Sequence, residues 1–212
     1  LGNQAGYSNT TGYSNSFLGY QAGRNNTTGY RNSFLGMQAG LNNTTGHDNS
    51  FLGYRAGLNN TTGNNNSFLG MQAGYDVTEG FSNTLLGYNT GRGITTGDKN
   101  TIVGANVTGL AADLSNNIIL ADGDGNQRIR VNSSGNVGIG TTAPGAKLDV
   151  AGAVRLGAAG GVYDILNTSA AAGAASGDLY WGNSALLTSA NIGSFGVSRV
   201  TNSDGTLNIS PT

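Results

Sequence analysis

A chain of 212 residues with 37 glycines and only 10% charged residues has the composition of a repetitive or fibrous protein, not of an ordinary compact domain. Its formal net charge of -1 argues against a nucleic-acid groove or an anionic membrane surface as partner, since both require a basic excess. The absence of cysteine excludes a disulfide framework and a thiolate metal site.

Leu1 to Ser14 reads as the tail of a repeat, so the chain is expected to be a piece of a longer protein. Copies then begin at Asn15, Asn32, Asn49, Asn66, Asn83 and Asn100, each 17 residues after the last and without insertion. "NSFLGYQAGRNNTTGYR" is followed directly by "NSFLGMQAGLNNTTGHD". Glycines recur at Gly19, Gly23 and Gly29, then at Gly36, Gly40 and Gly46, which suggests three turns per copy. A unit this short cannot hold a pair of helices; it fits one coil of a β-solenoid. "NSFLG" is then a short strand and "NTTG" a second strand or an extended corner. Stacked in parallel at about 4.8 Å per coil, six coils form a rod of about 30 Å.

Phe17 and Leu18, like Phe34 and Leu35, are neighbours in a strand and point to opposite faces. Only one of each pair can enter the coil interior. A strand that is apolar on both faces is normally buried on both, so the outer face is expected to meet another copy of the chain. The apolar burial available per coil is also small against the entropy of ordering 17 residues. Oligomerisation is the natural supplement.

The asparagines that open each copy would align as a ladder along the stack, their amides bonding from coil to coil. Adjacent threonines such as Thr27 and Thr28 point apart, so they offer no flat two-row platform for ordered water. Tyr20, Tyr54 and Tyr88 alternate with Met37 and Met71 at one repeat position. These tyrosines could bind glycan, but exchange with methionine points to packing volume. His47 stands where other copies have Tyr30, Asn64, Phe81 and Asp98, which reads as an exposed corner and not as a catalytic group. Carboxylates in the repeats are sparse, with only Asp48, Asp76 and Glu79 before residue 92, against the paired acids of a glycosidase. No catalytic, cofactor-binding or metal residue is assigned. "DGDGN" at 122–126 lacks the terminal glutamate of a calcium loop and reads as a hairpin turn.

Beyond Thr108 the texture changes. Ile118 to Ala121, Gln127 to Val131 and Asn136 to Ile139 read as three short strands of a β-meander, separated by D-G and S-G turns. The expected divisions are a solenoid shaft over 1–108, a β-meander connector over 109–157 and a small distal β module over 158–212. That module holds Tyr180 beside Trp181, the only tryptophan, a pair that could stack on a sugar but more simply forms part of a core.

The copies "NSFLGYQAG" with their "NTTG" turn resemble the head repeats of trimeric autotransporter adhesins of the YadA-like kind, although those are nearer fourteen residues and read "NS.AIG". "GNVGIGTTAPGAKLDVAGAVRLG" at 135–157 more closely resembles a phrase of bacteriophage tail fibres and bacterial surface fibres, where a self-cleaving chaperone often follows. "GDLYWGN" and "RVTNSDGTLNISPT" resemble connector modules of such fibres. The resemblance implies an all-β parallel homotrimer, extracellular, on a bacterial cell or a virion. It also implies a structural and adhesive role, with a glycan or protein receptor reached through the distal modules. A tailspike-like enzyme degrading surface glycan, or glycan binding by the shaft itself, are the alternatives. No nucleic acid, cofactor or membrane insertion by this segment is expected.

Overall fold

The computed structural model describes residues 2–154 together with two short strands, Tyr180–Trp181 and Ser184–Ala185. The chain divides into two units, Leu1–Val150 and Ala151–Thr212, and the repeats lie wholly in the first. Among the described residues there is no helix; the fold is an all-β solenoid of 17-residue coils.

Each coil contributes one three-residue strand: β1 (Ser16–Leu18), β2 (Ser33–Leu35), β3 (Ser50–Leu52), β4 (Ser67–Leu69), β5 (Thr84–Leu86) and β6 (Thr101–Val103). They pair in parallel with a register of 17, so that Phe17 faces Phe34 and Leu18 faces Leu35. The same register runs unbroken to β6. β7 (Ile118–Ala121), β8 (Gln127–Val131), β9 (Val137–Ile139) and β10 (Leu148–Val150) complete a single ten-stranded sheet in chain order.

Backbone conformation sets the strand ends. The residue before each opening asparagine is left-handed whatever its type, with φ of 53° at Arg31, 57° at Asp48 and 56° at Lys99. The strand stops at a glycine with φ near 140°, such as Gly19 at 141°, where an L side chain is strained. The third glycine of each copy has a different task. A Cβ on Gly29 would collide with Asn26 Oδ1 and with the Gly46 carbonyl of the next coil, so close stacking is what demands glycine there. The "NTTG" segment is a corner and not a strand: the amides of Thr27, Thr28 and Gly29 converge on the one carbonyl of Thr44, at 2.9, 3.1 and 3.2 Å.

The first apolar residue of each strand fills the interior. Phe34, Phe51 and Phe68 are 1% exposed and stack at 4.7 Å with nearly parallel rings. Facing them are small residues, Ala22, Ala39, Ala56 and Ala73. When the phenylalanine shrinks to Leu85 and then Ile102, other interior positions grow: Ala73 is succeeded by Thr90 and Val107, and Asn60 by Val77 and Ile94. The interior thereby keeps its volume while its parts change, as dense packing requires.

Three asparagine columns brace the coils, one of them part-buried, where Asn25 Nδ2 donates to Asn42 Oδ1 at 3.0 Å and Asn42 Nδ2 to Asn59 Oδ1 at 3.2 Å. Asn49 Nδ2 donates across its own coil to the Gly63 carbonyl at 2.8 Å, and its Oδ1 accepts the backbone N–H of Asn66 at 2.9 Å. The opening asparagines therefore link side chain to backbone between coils, with amide-to-amide bonds only at Asn83 and Asn100. A further, interior column is also an amide ladder: Asn43 Nδ2 donates to Asn26 Oδ1 at 2.7 Å, and Asn60 Nδ2 to Asn43 Oδ1 at 2.8 Å. It ends where Val77 supplies no donor, leaving Asn60 Oδ1 buried and unpaired. Asn49→Ala should orphan the buried Asn66 N–H, while the Gly63 carbonyl keeps its bond from Asn60 Nδ2 at 3.1 Å. The expected loss is about 2 kcal/mol, read as a lower denaturation midpoint.

The change of texture after Thr108 precedes the end of the solenoid register. Ile118 still pairs with Thr101 in parallel, and the Asn117 N–H still donates to Asn100 Oδ1 at 3.1 Å. Although the turn residues between Gly109 and Asn116 depart from the repeat, their number is kept, and number is what aligns the rung. The reversal comes at β8, antiparallel to both β7 and β9, with β10 then parallel to β9. Arg130 on β8 donates through Nε to Asn117 Oδ1 at 2.9 Å, taking the place of a further asparagine amide and closing the column.

Candidate functional site

The surface feature that the repeats build most consistently is the outward face of the strands. Strand alternation sends the second apolar residue of each pair out, and Leu18, Leu35, Leu52, Leu69 and Leu86 are between 40% and 51% exposed. A shallow groove runs along the rod between the column Ser33, Ser50, Ser67, Thr84 and the column Leu35, Leu52, Leu69, Leu86. The Phe-Leu pair thus divides as its alternation requires, one residue in the core and one on an uncovered face.

Tyr20, Met37, Met71 and Tyr88 stand in the turn after the strand, all between 45% and 47% exposed whether tyrosine or methionine. Tyr54 is half-buried in the same column, with the Arg55 guanidinium 4.8 Å over its ring. None of these residues lines the groove. They form a single file flanked by a side-chain ladder in which Gln38 donates to Gln21 at 3.1 Å and Arg55 donates to Gln38 at 2.8 Å. Tyr180 and Trp181 lie on the strand paired antiparallel with Ser184–Ala185; a stacking role for their side chains lies outside the described residues.

His47 is half-buried and not an open corner. Its ring stacks on Tyr30 at 4.6 Å, and Tyr30 in turn stacks on Tyr13 at 5.0 Å. In-register coils bring equivalent positions about 4.8 Å apart, which is stacking distance for any pair of flat rings. His47 Nδ1 also meets Asp48 Oδ2 at 2.8 Å, and Arg31 reaches the same carboxylate at 2.9 Å. These bonds, from His47 first and then Arg31, hold the Asp48 carboxyl below its ordinary pKa.

Two other carboxylates of the repeats, Asp76 and Asp98, are likewise tied to local structure. Asp76 accepts from Arg92 Nε at 2.8 Å and from the Gly93 N–H at 3.0 Å, and Asp98 accepts the Phe81 N–H at 2.9 Å. Among the described residues no group of three His, Asp or Glu side chains is placed to hold a metal. Asp122 organises the β7–β8 turn, accepting the backbone N–H of Asp124 and of Asn126, each at 3.0 Å, and Arg128 Nε at 2.9 Å. Hydrogen bonds from Asn126 above all, then from Arg128, bring its carboxyl from 3.8 to about 2. A depressed folded pKa means that the turn gains stability above pH of about 4 and loses it as pH falls from 4 towards 2. Following the Asn126 amide by NMR through that range should show the turn opening there, with no change between pH 5 and 8.

Threonine hydroxyls are also committed within the rod. Thr27, Thr44 and Thr61 each donate to the carbonyl of the next threonine in their column at 3.0 Å. Of the threonine pairs in these corners only a single file, Thr28, Thr45 and Thr62, is exposed. The interior ladder Asn26–Asn43–Asn60 was available to sequence reasoning as the recurring "NNT", but that phrase does not show which asparagine turns inward. No family model, curated protein or solved structure matches the chain. The architecture, a 17-residue-repeat β-solenoid, is compatible with fibre-like repeat proteins.

Proposed function

We propose that this chain is a structural segment of a trimeric fibre, extending a receptor-binding tip from a bacterial cell or a virion surface. One observation carries the reading. Across all six coils, the strand and the glycine-led turn entry after it (15–20, 32–37 and onward to 100–105) hold no charged residue, while the outward leucines of the first five stay about half exposed and in register. A charge-free stripe with a fixed axial repeat suits a surface of the same repeat, and a second copy of the chain has one. Each chain offers two distinct apolar columns, the leucines on the strand and the Tyr/Met file in the turn. Three parallel copies in register can bring their leucine columns together about a common threefold axis, so that each chain meets the same column of both neighbours.

Recognition then belongs outside residues 15–104. Monotonous chemistry along the rod, with Asp48, Asp76 and Asp98 each tied to a near neighbour, supports a role in supplying length. Light scattering at micromolar concentration should give three times the 21.4 kDa chain mass. A monomer mass would sink the fibre reading. Specific, saturable glycan binding by the chain that is lost when Tyr20, Tyr54 and Tyr88 are changed to Met would favour a binding shaft, and release of reducing sugar ends would favour a tailspike-like enzyme.

A further inference from the structure

The outward apolar column outlives the repeat. Following register partners across the sheet, Leu18, Leu35, Leu52, Leu69, Leu86 and Val103 are succeeded by Leu120, Ile129, Ile139 and Val150, one residue on each of ten strands. The column is kept although the sequence motif is gone and one strand, β8, runs the other way. Its neighbour on the same face changes character. In the coils this second column is Ser16, Ser33, Ser50, Ser67, Thr84 and Thr101; from β7 onward it is Ile118, Val131, Val137 and Leu148. The strand face is therefore half apolar along the coils and wholly apolar over β7–β10.

We infer that self-association is anchored on the outward face of β7–β10, which docks against the same region of a second copy. The inference rests on the fibre reading above and places its strongest contact. Ile118, Leu120, Ile129, Ile139 and Leu148 are between 37% and 59% exposed, and Arg128, Arg130 and Asp149 alternate to the opposite face of their strands. With the three valines they present on the order of 500 Å² of apolar surface, a large share of the roughly 800 Å² that one partner brings to a stable interface. The continuous leucine column supplies the rest at the same axial spacing, and an in-register copy is the partner that matches both.

The test compares two pairs of substitutions in the full chain, Ile129→Thr with Ile139→Thr and Leu35→Thr with Leu69→Thr. Threonine keeps strand preference, so the coils and hairpins should fold. In a dilution series followed by analytical ultracentrifugation, the β8–β9 pair should raise the dissociation midpoint at least tenfold more than the coil pair. Ile118→Ser, which restores the residue type that β1–β4 carry at that rung, should weaken association in the same direction and serves if the double variant does not fold. Equal shifts from both pairs would overturn the anchoring while leaving self-association in place. Loss of thermal stability with unchanged association would mean that the face is buried within the single chain, and would also overturn it. A wild-type monomer at all concentrations would remove the fibre reading together with this inference.

Discussion

Phe51→Asp should abolish folding, whereas Leu52→Asp, one residue away, should leave the coils intact and remove self-association. Phe51 is 1% exposed and lies between the rings of Phe34 and Phe68, at 4.7 Å from each. A carboxylate there loses the stacked ring and stands in an interior whose asparagines are already bonded to backbone and to each other. The expected destabilisation is at least about 5 kcal/mol, enough to unfold most single domains. Leu52 is 43% exposed on the uncovered face, so an aspartate in its place stays hydrated in the single chain. Only burial against a second copy would penalise it. Far-UV circular dichroism with light scattering separates the outcomes: loss of strand signal for the first, strand signal with a monomer mass for the second. A Leu52→Asp chain that kept the wild-type oligomer would show that the leucine column is not a contact.

Deletion of 35–51, one full repeat, should yield a shorter rod of the same fold, while deletion of 35–50 should not. The first joins Phe34 to Leu52, so every remaining coil keeps 17 residues and every carbonyl finds the amide it met before. Solenoid stability is close to a sum of coils and their neighbour contacts, so the melting temperature should fall by only a few degrees. X-ray scattering should show a rod shorter by about 4.8 Å. The second deletion joins Phe34 to Phe51 and leaves one residue too many in the strand. For Phe51 to stay inside, Phe34 must turn out, and the alternation then carries Asn32 out as well. Its bonds to the Gly46 carbonyl, itself deleted, and to the next asparagine amide have no replacement in that register. A variant lacking 35–50 that melted like the wild type would mean that corners absorb insertions freely and that the 17-residue count is not what holds the coils.

How far the sequence could be read follows from the way the coils stack. The spacing of the opening asparagines determined the register, because equal coils place equivalent residues side by side and no other pairing satisfies every strand. Alternation determined that Phe34 and Leu35 part to opposite faces. The "DGDGN" turn was legible as a hairpin.

Tertiary structure alone decided the rest, since it depends on atoms one coil away. Nothing local to Arg31, Asp48 or Lys99 marks them as left-handed; the corner before the strand imposes that conformation on whatever residue stands there. Gly29 looks like a turn glycine in sequence, yet its φ is not positive, and the neighbouring coil's carbonyl is what excludes a side chain. His47 reads as a free corner until Tyr30 is placed 4.6 Å beneath it. Beyond Leu120 the outward column, at Ile129, Ile139 and Val150, has no periodicity to betray it, because loops of unequal length and two strand reversals separate its members. Only the pairing of β7 to β10 brings those side chains onto one face, where their burial or exposure becomes a property of the sheet and not of any segment within it.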